Sequence, residues 1–296
     1  MKRVLVTGAN GFLGGAISER LAARADVQVG ATARGDLSDR SAAVAALSHW
    51  RPDIVVHAAG RTHGSADQLH VDNVEATAAL AAAIAAAAPN CGLILLGSAA
   101  QYGPSQDRIA WREGGPCEPV DDYGTSKRVA EASAFAEAAS CGIRVTSLRI
   151  FNVIAPWAHG EQSFPSFLRK LSAAMATPPP WRVEMGRLTA VRDFVAVGDV
   201  VEALERVIDR DVWGQPVNVC TGVGRTVGAL FETLAHALPG EVVIEQQGPA
   251  PMLDWSIGDP ALCQARLGFT PSSDLTTLIA EAAAWVTKTA KERADA

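Results

Sequence analysis

The sequence has five cysteines, Cys91, Cys117, Cys141, Cys220 and Cys263, and no C-x-x-C pair among them. That excludes a disulfide framework and a cysteine zinc site, and it fits a reducing compartment. Basic runs are missing as well, and the net charge is −6, which disfavours a nucleic-acid partner. The alanine-rich stretch 76–88 falls well short of the roughly 20 apolar residues a bilayer span needs, so it reads as a buried helix. Met1-Lys-Arg-Val-Leu-Val-Thr passes straight into a strand and leaves no room for a signal peptide. No His, Asp or Glu cluster has metal-ligand spacing. These absences together predict a cytoplasmic protein without a membrane, nucleic-acid or metal partner.

What the sequence does contain is alternation. Apolar runs at 3–7, 27–31, 53–59, 93–96 and 143–148 read as strands, with helices at 11–24, 73–88 and 123–140 between them. Near-continuous apolar strands separated by helices mean a parallel sheet covered on both faces. After Arg149 the pattern loosens, and Pro156, Pro165 and Pro178-Pro179-Pro180 punctuate it. Helices are expected at 164–176, 199–209, 227–238 and 275–289, strands at 182–185, 216–219 and 242–246, and a frayed end from Lys291. The expected fold is α/β: a Rossmann-type doubly wound parallel sheet over residues 1–155. Residues 156–296 form a smaller α/β substrate lobe interleaved with the last sheet strands.

Between the first strand and the first helix lies Thr7-Gly8-Ala9-Asn10-Gly11-Phe12-Leu13-Gly14. Gly8 permits the tight turn, Gly11 lets backbone approach a pyrophosphate, and Gly14 lets helix and strand pack closely. The helix N-terminus adds free N–H groups and a partial positive charge. The spacing is G-x-x-G-x-x-G instead of the standard dinucleotide fingerprint. At the end of the second strand no carboxylate waits for a ribose 2′-hydroxyl; Arg34 stands there and can pair a 2′-phosphate. Asp36 and Leu37 follow and could instead reach a ribose or an adenine. The balance favours NADP, with NAD the alternative.

Tyr123-Gly-Thr-Ser-Lys127 places a lysine one helical turn after a tyrosine, on the same face. A phenol has a reference pKa near about 10. A neighbouring ammonium favours the phenolate, which makes the group usable as acid or base near neutrality. Spacing alone would be an ordinary helix; its conjunction with the glycine turn and Ser98 points to proton transfer beside a nicotinamide.

With those residues in view, the chain resembles the extended short-chain dehydrogenase/reductases, which include nucleotide-sugar epimerases, dehydratases and reductases. His57-Ala58-Ala59-Gly60 resembles the family's N-A-A-G, with His57 in the Asn position. Ser98-Ala-Ala-Gln-Tyr102-Gly103 resembles its S-x-x-x-Y-G. Arg149-Ile-Phe-Asn152-Val-Ile-Ala155-Pro156 resembles R-x-F-N-x-x-G-P with alanine in the glycine slot. Arg192-Asp-Phe-Val-Ala-Val-Gly-Asp199-Val and Asn218-Val-Cys-Thr-Gly222 resemble two later motifs. Within the family the chain is most similar to the 4-keto-6-deoxyhexose nucleotide reductases.

The resemblance implies Ser98, Tyr123 and Lys127 as the catalytic set, with Tyr123 giving a proton to the alkoxide formed as hydride reaches a carbonyl. It implies that Gly8, Asn10, Gly11, Phe12, Leu13, Gly14, Ala58, Ala59, Gly60, Tyr123 and Lys127 hold the dinucleotide. Asn152 and Arg192, with Ser98 and Tyr123, would hold a nucleotide-sugar. The plainer alternative for Arg192 is a salt bridge to Asp193 or Asp199. Trp181 and Arg182 could flank a nucleobase, or Trp181 could be lobe core. Ala99-Ala100 stands where a dehydratase carries its acid–base pair, so dehydration is disfavoured. A 4-epimerase with tightly bound NAD, a reductase of a small non-sugar ketone and a catalytically silent sensor stay open. The resemblance also implies a homodimer built on the helices after Asn73 and after Tyr123.

Overall fold

In the computed structural model, which describes residues 1–31, 39–157, 163–250 and 252–294, the apolar runs pair as one parallel sheet. The strands are β1 (Lys2–Thr7), β2 (Val27–Ala31), β3 (Ile54–His57), β4 (Gly92–Ser98), β5 (Arg144–Ile150), β6 (Asn152–Ile154), β7 (Trp181–Met185), β8 (Val191–Ala196), β9 (Pro216–Val219), β10 (Gly224–Thr226), β11 (Val242–Gln246) and β12 (Trp255–Ser256). Six of them run in the order β2-β1-β3-β4-β5-β9. The helices are α1 (Phe12–Ala22), α2 (Arg40–Trp50), α3 (Ala66–Leu69), α4 (Ala76–Ala87), α5 (Asp122–Cys141), α6 (Ser163–Ala174), α7 (Val197–Arg210), α8 (Val227–His236), α9 (Ala261–Leu267) and α10 (Thr276–Ala294).

Successive strand residues point to opposite faces, and the core divides accordingly. Val4, Val6, Ile94 and Leu148 meet Ile17 and Leu21 of α1 and Leu204 and Val207 of α7. Leu5, Val55, Leu93 and Val145 meet Leu47 of α2, Leu80 and Ile84 of α4 and Ala134 of α5. A third cluster joins α6, α8, α10 and β7, where Phe167 stacks on Phe231 with centroids 4.3 Å apart. Beyond residue 155 the chain therefore serves two bodies: β9, α7 and α9 return to the main sheet, while α6, β7, α8, β11 and α10 build the lobe. Between them, β8 pairs with β6, β10 and β12.

Some elements exceed what periodicity predicts. The helix expected at 73–88 starts at Ala66, where Ser65 and Gln68 form a capping box. It passes through a π-helical turn at His70–Glu75 before α4. α2 has no counterpart among the expected helices; Asp39 caps it by accepting from the Ser41 N–H. β8 coincides with the Arg192 motif, which the apolar pattern does not mark as a strand. Lys291 to Ala294 are helical, not frayed, because α10 continues through them.

Candidate active site

The site lies at the C-terminal edge of the main sheet, where β1, β3 and β4 end in Thr7, His57 and Ser98. Gly8 has φ +66, and a Cβ there would sit 2.6 Å from the Ala59 nitrogen. A side chain at Gly14 would collide with the Gly8 carbonyl. The fold itself demands these two glycines. Gly11 is different: it is exposed, and a Cβ would meet only the Gly8 carbonyl, at 3.1 Å. Its bareness clears space on the outside. Gly11 starts α1 with no side-chain cap, and the first turn has no acidic residue. The first turn of a helix presents N–H groups and a partial positive charge to an anion, so the turn fits a dinucleotide pyrophosphate. Asn10 is exposed on the turn, Phe12 and Leu13 open the helix, and the Phe12 ring meets Trp157 edge-on at 6.5 Å. Ala58, Ala59 and Gly60 run beside the turn, and the Ala59 N–H donates to Thr7 Oγ1 at 3.0 Å. Arg34, Asp36 and Leu37 lie outside the described residues, as does His159.

Ser98 ends β4 and caps a short 3-10 turn over Ala99–Gln101. Its Oγ accepts from the Ala100 N–H at 3.2 Å, and its own N–H donates to Gln101 Oε1 at 3.0 Å. Tyr123 is the second residue of α5, which Asp121 caps by accepting from the Gly124 N–H at 2.6 Å. A side chain at Gly124 would collide with the Ala100 carbonyl. Its absence lets α5 close onto the Ser98 turn, and the Tyr123 phenol hydrogen-bonds Ser98. Burial raises the Tyr123 pKa; the Ser98 hydrogen bond opposes this, and Asp121 adds to it. Spacing assigns a lowering of the phenol to Lys127; in the fold burial outweighs the opposing Ser98 hydrogen bond, and the net direction is upward. Burial pushes Lys127 down to about 8, with Glu131 opposing.

Behind these residues runs a chain of buried hydrogen bonds. Thr77 Oγ1 donates to the Asn73 carbonyl at 2.6 Å, so its oxygen accepts from His57 Nε2–H at 3.1 Å. His57 Nδ1 then accepts from the Thr7 hydroxyl at 2.9 Å. Burial, with Lys127 nearby, holds the imidazole down to about 3, so it is neutral and this tautomer is consistent throughout. The Asn73 amide donates to Ser126 Oγ at 2.8 Å, and Ser126 Oγ donates to the Tyr123 carbonyl at 2.8 Å. The glycine turn and the tyrosine helix are thereby tied together. Sequence reasoning missed Thr7, Asn73 and Thr77; the available signal was an asparagine and a threonine one turn apart in an alanine-rich helix. A second buried cluster joins Arg149 to both Glu131 oxygens and to the Tyr102 hydroxyl, which donates to Asn218 Oδ1 at 2.6 Å. Tyr102 is thus structural, as is Glu113, whose carboxylate accepts from the Asn218 N–H.

Asn152 and Arg192, also expected to hold substrate, are held by main-chain carbonyls. Asn152 Nδ2 donates to the Asp193 carbonyl at 3.2 Å. Arg192 is half-buried and donates to the Val191 and Leu253 carbonyls. It forms no pair with Asp193, whose buried carboxylate instead takes the Thr221 N–H and hydroxyl and the Gly222 N–H. Asp199 accepts from the Ser272 N–H. Trp181 is buried in the lobe core with Nε1–H on the Thr177 carbonyl, and Arg182 pairs with Glu245. This favours the core reading of Trp181 over a nucleobase stack. Asp254 pairs with Arg108. Among the described residues no group of three or more His, Cys, Asp or Glu could hold a metal ion, and no helix is long and apolar enough to cross a membrane.

A Rossmann-type sheet, a glycine turn facing an uncapped helix and a Ser-Tyr-Lys corner define an extended short-chain dehydrogenase/reductase. The chain belongs to the NAD dependent epimerase/dehydratase family, whose model matches residues 4–220. It is 33% identical over 300 residues to the dTDP-6-deoxy-L-talose 4-dehydrogenase (NAD(P)(+)) of Kitasatospora kifunensis, covering 94% of each chain. It is 28% identical to the GDP-6-deoxy-D-mannose reductase of Pseudomonas aeruginosa, over 85% of this chain and 84% of that one. The structure of RMD from Pseudomonas aeruginosa complexed with NADPH superposes with a TM-score of 0.87 at 26% identity, over 97% and 98% of the two chains. The Thermus thermophilus UDP-glucose 4-epimerase complexed with NAD superposes at 0.80 and 25% identity, over 96% and 99%. The chain is therefore an enzyme of the NAD(P)-dependent, nucleotide-sugar-modifying class.

Proposed function

We propose that this enzyme reduces a keto group on a nucleotide-activated deoxysugar, with NADPH as the hydride source and NADH as the alternative. The observation that carries the reading is the state of Tyr123. Its phenol is protonated at neutral pH at an ordinary pKa of about 10; burial raises that further, and Ser98 hydrogen-bonds it. A donor held in its acid form suits reduction, where a proton must reach a new alkoxide. Ser98 stabilises charge on the same oxygen. Lys127 lies one turn along α5 and would hold the nicotinamide ribose. The dinucleotide, when bound, supplies the hydride; the turn from Gly8 to Gly14, with Ala58, Ala59 and Gly60, holds its pyrophosphate. Asn152 and Arg192 take the substrate's diphosphate and ribose by exchanging their present carbonyl partners for ligand oxygens. Residues 156–296 supply the substrate lobe. The reading is supported by relatives named a dTDP-6-deoxy-L-talose 4-dehydrogenase and a GDP-6-deoxy-D-mannose reductase.

The test is NADPH consumption by the purified full chain with dTDP- and GDP-linked 4-keto-6-deoxyhexoses, with the product identified by mass spectrometry. Stoichiometric oxidation of NADPH and a 6-deoxyhexose nucleotide are expected. A second reading, 4-epimerisation, draws on the likeness to the NAD-bound epimerase. Interconversion of UDP-glucose and UDP-galactose without added cofactor, and no NADPH consumption, would establish it instead. The proposal extends to a cytoplasmic homodimer through α4 and α5, near which Val71 and Val129 stand exposed. Light scattering of the eluted protein checks the dimer.

A further inference from the structure

On the face of the sheet covered by α4 and α5, the strands change character near their C-terminal ends. Leu95 gives way to Gly97 on β4, and Val145 to Ser147 and Arg149 on β5. Ser147 is wholly buried and its Oγ has no hydrogen-bond partner among the described residues. Gln101 is wholly buried too. The Ser98 N–H occupies its Oε1, which identifies the other amide atom as nitrogen, and that Nε2 is also unpartnered. Buried polar groups are rarely left without a partner. Of the two, Ser147 Oγ borders a bare position: a Cβ at Gly97 would lie 2.6 Å from it. Beside Gly97 is a cavity of about 10 Å3, lined by His57, Thr77, Lys127, Glu131 and Ser147. That is the scale of a single water, which needs roughly 10–15 Å3 and two to four polar partners.

We propose that the enzyme binds one structural water in this cavity, held by Ser147, Lys127 and Glu131, and that Ser147 acts through it as a positioning residue for Lys127. The water accepts from the Lys127 ammonium and donates to Ser147 Oγ and the Glu131 carboxylate. His57 and Thr77 have their protons committed in the chain described above and furnish walls. The charged and titratable groups around Lys127 are Tyr123 and Glu131 on α5, His57 on β3 and, beyond Glu131, Arg149 on β5. With a water on its inner side the ammonium is better solvated, which favours its charged form.

A crystal structure of the full chain at a resolution that orders solvent should show a density peak within hydrogen-bond reach of Ser147 Oγ and Lys127 Nζ. Clear density for the side chains with none in the cavity overturns the proposal. The kinetic arm rests on the reductase reading. Ser147→Val, which replaces the acceptor with bulk, should lower kcat about five- to tenfold. It should leave the sugar KM unchanged and move the alkaline limb of kcat to lower pH, as Lys127 loses solvation. A folded Ser147→Val enzyme with unchanged kcat and pH limb overturns the proposal. Should that variant not fold, Ser147→Ala serves, with loss or displacement of the water peak and a smaller shift of the same sign expected; an unmoved peak and limb count against it. Absence of turnover on any keto-sugar would sink the reductase reading, while the presence or absence of the water peak would still decide the proposal.

Discussion

The corner where β4 meets α5 and the small sheet around β8 both carry residues expected in the reaction, but they are built differently. In the corner, side chains bind side chains: Tyr123 to Ser98, and His57 between Thr7 and Thr77. Directions are fixed before any ligand arrives, which is what proton transfer and charge stabilisation require. Around β8, Asn152 and Arg192 donate to main-chain carbonyls. Those partners are replaceable, because a phosphate oxygen offers a guanidinium a stronger, charge-assisted bond. Chemistry is preorganised, and recognition is left to form when the substrate binds.

The hardest blow to the corner is Tyr123→Phe. It removes the proton donor and little volume, so kcat should fall by roughly 10²–10⁴ while cofactor binding, followed by fluorescence, is kept. Near-normal turnover in the variant would mean that the corner is not where the reaction occurs. Gly124→Ala strikes the same corner through packing. The new Cβ meets the Ala100 carbonyl, so α5 must back away from the Ser98 turn. Misplacing a catalytic group by about 1 Å costs on the order of 10²-fold, and overpacking costs about 1–3 kcal/mol. Steady-state kinetics and a urea titration would read both; an alanine accommodated at no cost in rate would show that close approach is not what aligns Tyr123.

The same contrast explains how much of the molecule is legible in the sequence. The parallel sheet and the Ser98, Tyr123, Lys127 set follow from local pattern, since apolar runs, a glycine turn and an i, i+4 pair are all short-range. The support is not legible. Thr7 and His57 are far apart in sequence and meet through strand register, and Thr77 reaches His57 from α4. The electrostatics of the pair are illegible for a related reason: spacing puts the ammonium near the phenol, but burial raises the pKa of one group and lowers that of the other. Trp181 has the chemistry of a stacking platform, but the lobe core closes over it.

If recognition is built on replaceable partners, Arg192→Ala should separate binding from chemistry. A charge-assisted hydrogen bond is worth about 1.5–3 kcal/mol, so the sugar KM should rise about ten- to a hundredfold, with kcat held within roughly twofold. Asn152→Ala, which removes a neutral donor, should raise KM less. A fall in kcat with KM unchanged would place Arg192 in the preorganised corner and dissolve the contrast.

The smallest effect on turnover, and the finest probe of the corner, comes from His57. Its folded pKa is depressed to about 3 from an ordinary 6.5 because it is buried beside Lys127. Between those values the unfolded chain binds a proton that the folded chain refuses. Stability contributed by the neutral ring is therefore intact above pH 6.5 and is lost as pH falls towards 3. His57→Asn has no proton to bind in that window. At neutral pH it should be less stable by about 1–3 kcal/mol, because Thr7 and Thr77 lose geometry that an amide reproduces only in part. On going to about pH 4.5, wild type should lose roughly 2 kcal/mol more than the variant does, measured as urea midpoints at both pH values. Carboxylates titrate alike in both proteins and cancel in the difference. Midpoints that fall in parallel would mean the ring accepts a proton where it sits. The chain from the glycine turn to α5 would then be an adaptable contact, and the corner would be no more rigid than the sheet around Arg192.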